Sequence, residues 1–148
     1  MIFSRELHKN EAISVLTEVV RMLPAGIWLV RNPLFFDEEV VSANHRVASE
    51  GEDVCYLLST DELNRVLRAS SIWFDWTELY FFEECPIVDD ISARGVCQFA
   101  AQCIDMTFWL FETKSDALER FFLGQPGSFE VRDSWGEFLP RYAVVQNR

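Results

Sequence analysis

Apolar residues in this chain follow strand-like and helix-like spacings in turn, and this alternation restricts the fold more than any other feature of the sequence. In the clearest example, residues 54–58 form a short apolar strand candidate, and the Ser-Thr-Asp-Glu segment at residues 59–62 is a capping box that begins a helix. Helical spacing also predicts a helix over residues 10–23, and residues 27–30 predict a short buried strand. Helices and strands are therefore interspersed in the first half.

The longest apolar runs lie further along the chain. Residues 72–82, with the sequence IWFDWTELYFF, are rich in aromatic and β-favouring types and predict a strand with both faces covered. Residues 95–112 form a second long apolar run, which we interpret as a strand at least from residue 104 to residue 111. The part from residue 96 to residue 103 is compatible with a helix as well as with a strand.

Shorter signals complete the prediction. Acidic residues from Asp37 onwards and basic residues up to Arg46 suit the dipole of another helix. Further predicted elements are a helix over residues 115–122 and strands near residues 129–132 and 142–145. We therefore predict an α+β fold with a mainly antiparallel sheet and packed helices, as a single domain over residues 1–148. A parallel α/β sheet is the alternative, because elements alternate in the first half.

Two features bear on the compartment. Charged residues interrupt every apolar run well before the roughly 18 to 20 residues that a membrane span requires. The N-terminus carries charged and polar residues where a secretory signal would need an apolar stretch, namely at Arg5, Glu6, His8 and Lys9. We therefore expect a cytoplasmic protein without a membrane partner.

No group of residues in the sequence predicts catalysis or a metal site. Histidine occurs only as His8, in an N-terminal stretch that we expect to be mobile, and as His45, which we interpret as a surface residue near a helix end. The cysteines lack the paired short spacing of a zinc site. We interpret them as reduced, buried thiols: Cys55, Cys85, Cys97 and Cys103. We therefore expect no enzyme activity, no metal and no cofactor.

Negative charge is concentrated in the middle of the chain, whose net charge is −11. Residues 49–92 contain eleven acids and two bases, Arg65 and Arg68, which accounts for nine of the eleven net negative charges. The acids are Glu50, Glu52, Asp53, Asp61, Glu62, Asp75, Glu78, Glu83, Glu84, Asp89 and Asp90. Such a field repels phosphates and anionic lipid and attracts basic surfaces.

The same segment contains aromatic types that serve as anchors in protein interfaces when they are exposed. We predict a partner-binding site with charged contacts and two aromatic anchors. The charged contacts are Asp75, Glu78, Glu83, Glu84, Asp89 and Asp90, and the anchors are Trp76 and Tyr80. In the alternative interpretation, the acids only keep the domain in solution and the aromatic residues belong to the core.

Acidity, small size and aromatic anchors together favour a non-enzymatic binding module. The most natural case is an immunity or antitoxin protein that neutralises a basic toxin or effector such as a nuclease, without binding nucleic acid directly. A phage-encoded inhibitor of a nucleic-acid-binding defence complex, acting as a phosphate mimic, has the same sequence features. The remaining alternatives are a small enzyme that uses scattered residues such as Cys55 or Glu78, and a structural or regulatory subunit.

Overall fold

The computed structural model describes residues 2–33, 46–48, 54–69, 72–84, 97–125, 127 and 129–132. In chain order, the described elements are β1 (Ile2–Glu6), α1 (Lys9–Met22), β2 (Ile27–Arg31), β3 (Arg46–Ala48), β4 (Val54–Ser59), α2 (Thr60–Arg68), β5 (Glu78–Phe82), β6 (Phe99–Ile104), β7 (Phe108–Thr113), α3 (Asp116–Leu123) and β8 (Glu130–Arg132). The predicted helix after Asp37 and the predicted strand at 142–145 fall mainly or wholly outside these residues.

The eight strands form one sheet in the order β3-β4-β2-β5-β6-β7-β1-β8. Every described pairing is antiparallel. The prediction of a single α+β domain with an antiparallel sheet and packed helices is therefore confirmed, and the parallel alternative is wrong. Strand β5 lies in the middle of the sheet, between β2 and β6, so the aromatic segment identified in the sequence is central to the fold.

All three helices contribute to a single core on one face of the sheet. Each helix presents an apolar stripe, and every second residue of the long strands meets it. The largest fully buried side chains of this core include Trp28, Phe81, Phe99, Trp109, Phe111 and Phe122. Rings in the core contact one another directly; Phe111 lies 5.0 Å from Phe122 and 5.6 Å from Trp109, centroid to centroid. Aromatic packing therefore fixes the helices to the sheet.

The opposite face of the sheet carries a largely buried row of four polar residues and one leucine. The strand register places Ser4, Leu110, Gln102, Glu78 and Arg31 side by side across five neighbouring strands. Ser4, Gln102 and Glu78 are each 5 % exposed or less. Arg31 Nη1 donates a hydrogen bond to Glu78 Oε2 at 3.3 Å, so the most buried charge of the row is paired. Both faces of β5 are covered, as the sequence predicts.

Local capping signals place two helix starts correctly. The Ser59 hydroxyl accepts a hydrogen bond from the Glu62 amide, and the Glu62 carboxylate accepts one from the Ser59 amide, which completes the capping box. Ser115 likewise accepts a bond from the Leu118 amide at the start of α3. These hydrogen bonds join residues three positions apart, and for that reason the sequence alone reveals them.

Four predictions about local structure are wrong. Residues 72–77 are not part of the central strand, which begins only at Glu78. The run at 95–112 holds two strands joined by a turn, and no helix forms over its described part. Arg46, predicted in the last turn of a helix, belongs to β3 because it pairs with β4. His8 follows β1 and is the N-cap of α1, where its amide donates to Glu11 Oε1, rather than lying in a mobile stretch.

Candidate functional site

The predicted contact residues are distributed over both ends of strand β5. Asp75 and Trp76 precede the strand, whereas Glu83 and Glu84 follow it and are exposed. A five-residue strand is about 17 Å long. The two groups therefore do not form one compact site, although the sequence places them within ten residues of one another.

Two predicted contacts lie inside the sheet instead. The Glu78 side chain is only 6 % exposed and pairs with Arg31, so its charge is not available to a partner. Tyr80 is half-buried and packs against a small apolar cluster on the face opposite the helices. Asp89 and Asp90 lie outside the described residues. Of the eight predicted contacts, Asp75 and Trp76 are the pair that combines an acid with an exposed aromatic ring.

Three large apolar side chains are exposed at the end of the sheet where β5 begins. Trp73 is 40 % exposed, Trp76 is 43 % exposed and Met106 is 47 % exposed. The carboxylates of Asp75 and Asp105 lie at the same end. We call these five residues the tryptophan surface. Trp73, Asp105 and Met106 were missed as site residues, because each lies in a long apolar run that the sequence assigns to strands.

Thr77 fixes the conformation of the bend that contains Asp75 and Trp76. Its hydroxyl donates a hydrogen bond to the Asn32 carbonyl at 2.9 Å and accepts one from the Asp75 amide at 3.3 Å. Its own carbonyl accepts a bond from the Cys103 amide at 2.8 Å. Thr77 is fully buried, so these bonds are shielded from water. The bend before β5 is thus anchored to β6 and to the residue that follows β2.

The turn between β6 and β7 presents the other two members of the surface. Asp105 and Met106 have φ angles of 51° and 68°, in the left-handed region that side chains other than glycine seldom adopt. The Thr107 amide donates to the Asp105 carbonyl, and the Thr107 carbonyl accepts a bond from the Leu7 amide. These bonds hold the turn against the end of β1, and they leave Asp105 and Met106 directed to solvent.

The carboxylates of Asp75 and Asp105 both act on the buried thiol of Cys103. Burial, and after it the negative charge of Asp75, raises the pKa of this thiol to about 12; Asp105 also raises it, while a hydrogen bond from the Met106 backbone lowers it. The thiol is therefore protonated at neutral pH and is not a nucleophile. Cys97 and Cys103 are buried free thiols, as the sequence predicts, and the other two cysteine side chains lie outside the described residues.

A cation already lies over one indole ring of the tryptophan surface. The Nζ atom of Lys9, the first residue of α1, is 4.2 Å from the ring centroid of Trp73. This geometry is a cation–π contact, in which the positive charge meets the negative face of the ring. The surface therefore combines exposed indole rings, carboxylates and one internal cation.

Replacing Thr77 by valine is expected to lower the free energy of unfolding by about 1–3 kcal/mol. Valine has nearly the same shape, but it leaves the Asn32 carbonyl and the Asp75 amide without their hydroxyl partner. Thr17→Val is the matched control, because the exposed Thr17 hydroxyl bonds only within its own helix in the described contacts. Urea denaturation of both variants measures the difference. Equal stabilities would contradict the anchoring role of Thr77.

The opposite end of β5 is acidic but has little apolar surface. Asp61, Glu83 and Glu84 are exposed there, and we call them the acidic end. A depression with a volume of about 10 Å³ lies nearby, which is far smaller than the roughly 300–1,000 Å³ of typical small-molecule sites. Its lining residues are Cys97, Gln98, Ala100, Glu112, Thr113 and Lys114. This end thus provides charge without an exposed aromatic anchor among its described residues.

Within the described residues, no three side chains of His, Cys, Asp or Glu are arranged to hold a metal ion. None of the described helices is long and apolar enough to cross a membrane. Comparisons with protein-family models, curated proteins and solved structures find no match to this chain.

Proposed function

We propose that this protein is a non-enzymatic binding module of the cytoplasm that neutralises a basic toxin or effector, as an immunity or antitoxin protein does. The observation that carries the proposal is the tryptophan surface, where two tryptophans and a methionine are 40–47 % exposed at the end of the sheet that also carries Asp75 and Asp105. Tryptophan is the residue type most enriched among the few side chains that dominate binding energy. An acidic chain that exposes two of them at one end has the means to bind a basic protein.

Charge and anchors have separate roles in this proposal. The net charge of −11 attracts a basic partner over distances of about a Debye length and raises the association rate. The exposed indoles then determine how slowly the complex dissociates, because they exclude water from the centre of the interface. The acidic end contributes to the long-range attraction but, being about one strand length away, does not contact the same patch of the partner.

A basic protein fits the negative charge of this chain better than nucleic acid or anionic lipid does. Nucleic acid and anionic lipid carry phosphates, which the negative field of this chain disfavours. An active site that binds nucleic acid must itself be basic, and an acidic domain is suited to block it. The proposal therefore places the partner among nucleases and other basic effectors.

The proposal is tested by finding the partner and then measuring inhibition. The tagged full-length protein is used as bait in lysate of its source organism, at low and at near-physiological salt, and retained proteins are identified by mass spectrometry. Support requires a basic effector whose own activity falls when this protein is added in equimolar amount. A partner whose activity is unchanged, or an acidic partner retained equally at both salts, would contradict the proposal.

With the partner in hand, Trp76→Ala is expected to weaken binding by about thirtyfold or more, mainly through faster dissociation. Leu123→Ala is the matched control, because Leu123 is 62 % exposed, lies at the end of α3 and is not one of the five residues of the tryptophan surface. That control is expected to change the dissociation constant less than twofold. Surface plasmon resonance with the purified partner measures both variants. Equal binding by Trp76→Ala and the parent would remove the tryptophan surface from the interface.

A further inference from the structure

We propose that the tryptophan surface binds an arginine side chain of the partner, with the guanidinium stacked on Trp76 and paired with Asp75 and Asp105. The inference rests on the proposed function and specifies the chemistry at its interface. It draws on three observations: the internal cation on Trp73, the two carboxylates at the same end of the sheet, and the exposure of the Trp76 ring.

The contact between Lys9 and Trp73 is an internal example of the proposed interaction. At 4.2 Å from the ring centroid, the ammonium group lies within the roughly 6 Å over which an indole face attracts a cation. Trp76 belongs to the same connection between α2 and β5 and is 43 % exposed. Its ring therefore offers solvent-accessible area to a cation that comes from outside the chain.

The carboxylates supply the second half of the site. Thr77 lies opposite Cys103, because its carbonyl accepts the Cys103 amide. Asp75 is two residues before Thr77, and Asp105 is two residues after Cys103, so the antiparallel course of the two segments places both residues at the same end of the sheet. Both charges act on the same buried thiol. Asp75 is half-buried and Asp105 is exposed, so both carboxylates carry negative charge at the end of the sheet where Trp76 is exposed.

Arginine fits this arrangement better than lysine. Its guanidinium is planar, so it can stack on an indole while its edge donates to carboxylates, and it is more weakly hydrated than an ammonium group. Lysine offers a compact, strongly hydrated charge that does not do both at once. The surface is therefore expected to prefer arginine.

Other occupants of the surface fit the charges less well. A second copy of this chain would bring together two bodies that each have a net charge of −11, which opposes association. Single-stranded nucleic acid stacks on tryptophans, but its phosphates would meet Asp75 and Asp105. A basic partner is the occupant whose charge complements both the surface and the whole chain.

The test uses the full-length protein and a synthetic peptide in which arginine alternates with glycine. Matched peptides carry lysine or the neutral analogue citrulline in place of arginine. Isothermal titration calorimetry at low salt is expected to give the tightest binding for arginine, binding several-fold weaker for lysine, and no measurable binding for citrulline. Equal binding of the arginine and lysine peptides would overturn the preference for a planar cation.

Variants at the two ends of β5 separate a specific site from general attraction. Trp76→Ala is expected to weaken binding of the arginine peptide about tenfold. The double variant Asp75→Asn, Asp105→Asn is expected to do the same; asparagine keeps the size of the side chain and tolerates the left-handed backbone at residue 105. Glu83→Gln with Glu84→Gln removes the same charge at the acidic end and is expected to weaken binding less than twofold.

Three results would overturn the inference. If the variant at the acidic end weakens the arginine peptide as much as the variant at Asp75 and Asp105, the attraction is a property of the whole field. If Trp76→Ala binds the peptide normally, no stacking occurs. If the parent self-associates in sedimentation and Trp76→Ala does not, a second copy occupies the surface.

Failure of this inference and failure of the proposed function give different results. If a basic effector is captured and inhibited through Trp76 while the arginine peptide does not bind, the function holds and the arginine chemistry is wrong. If the peptide binds as expected but no effector is inhibited, the cation site holds and the proposed function is wrong.

Discussion

Glu78→Leu is expected to lower the free energy of unfolding by about 3–5 kcal/mol. The substitution removes one partner of an ion pair whose side chains are 14 % and 6 % exposed, and it leaves the Arg31 charge on the covered face of the sheet without its carboxylate. Folded domains are stable by only about 5–15 kcal/mol, so the loss is a large part of the total. Chemical denaturation monitored by tryptophan fluorescence measures it.

The control for Glu78 is the double substitution Arg31→Met, Glu78→Leu. Removing both charges together and filling the space with apolar side chains is often neutral or stabilising, because no charge then remains buried and unpaired. The free energy of unfolding of the double variant is therefore expected to lie within about 1 kcal/mol of the parent's or above it. If the double variant is as unstable as the single variant, the loss of stability comes from disturbed packing and not from an unpaired buried charge.

Phe111→Ala is expected to be as damaging, lowering the free energy of unfolding by about 3–5 kcal/mol. The Phe111 ring is fully buried and contacts four other rings in the core between the sheet and the helices. These rings belong to Phe99, Trp109, Phe122 and Phe129. Alanine removes the centre of this cluster and leaves a cavity that close-packed neighbours fill only in part.

Leu123→Ala provides the comparison for Phe111. Leu123 is the residue after Phe122 in α3, but its side chain is 62 % exposed, so its truncation is expected to change stability by no more than about 0.5 kcal/mol. Thermal unfolding of both variants, followed by circular dichroism, measures the difference. A loss at Phe111 no greater than that at Leu123 would mean that the aromatic cluster does not hold the helices on the sheet.

These stability measurements also distinguish a loss of binding from a loss of folding. A variant at Glu78 that loses partner binding would have lost it through the fold, because the Glu78 side chain is buried and paired. Variants at Trp76, Asp75 and Asp105 change exposed or half-buried side chains at the sheet end. A variant that loses binding but keeps the free energy of unfolding of the parent identifies a residue that contacts the partner.

The candidate site could be predicted from the sequence only in part. Asp75 and Trp76 were chosen because acid and aromatic residues are neighbours there, and the structure places both at the tryptophan surface. Glu78 lies among the same residue types, yet it is buried, because strand pairing places it within the sheet. Its partner there is Arg31, which is 47 residues away in the sequence. Met106 and Asp105 join the surface through a turn that interrupts an otherwise apolar run.

The sequence by itself determined the elements whose signals are local. The capping residues at Ser59 and Ser115 and the helical spacing of the first helix act between residues three or four positions apart, and strand propensity identified most of β4 and β7. Only the tertiary structure decided which strands pair, where the central strand begins and which acids face the solvent. The hydroxyl of Thr77 ends the bend by bonding to a carbonyl 45 residues earlier. Such long-range contacts depend on the whole chain being folded, so local residue patterns do not contain them.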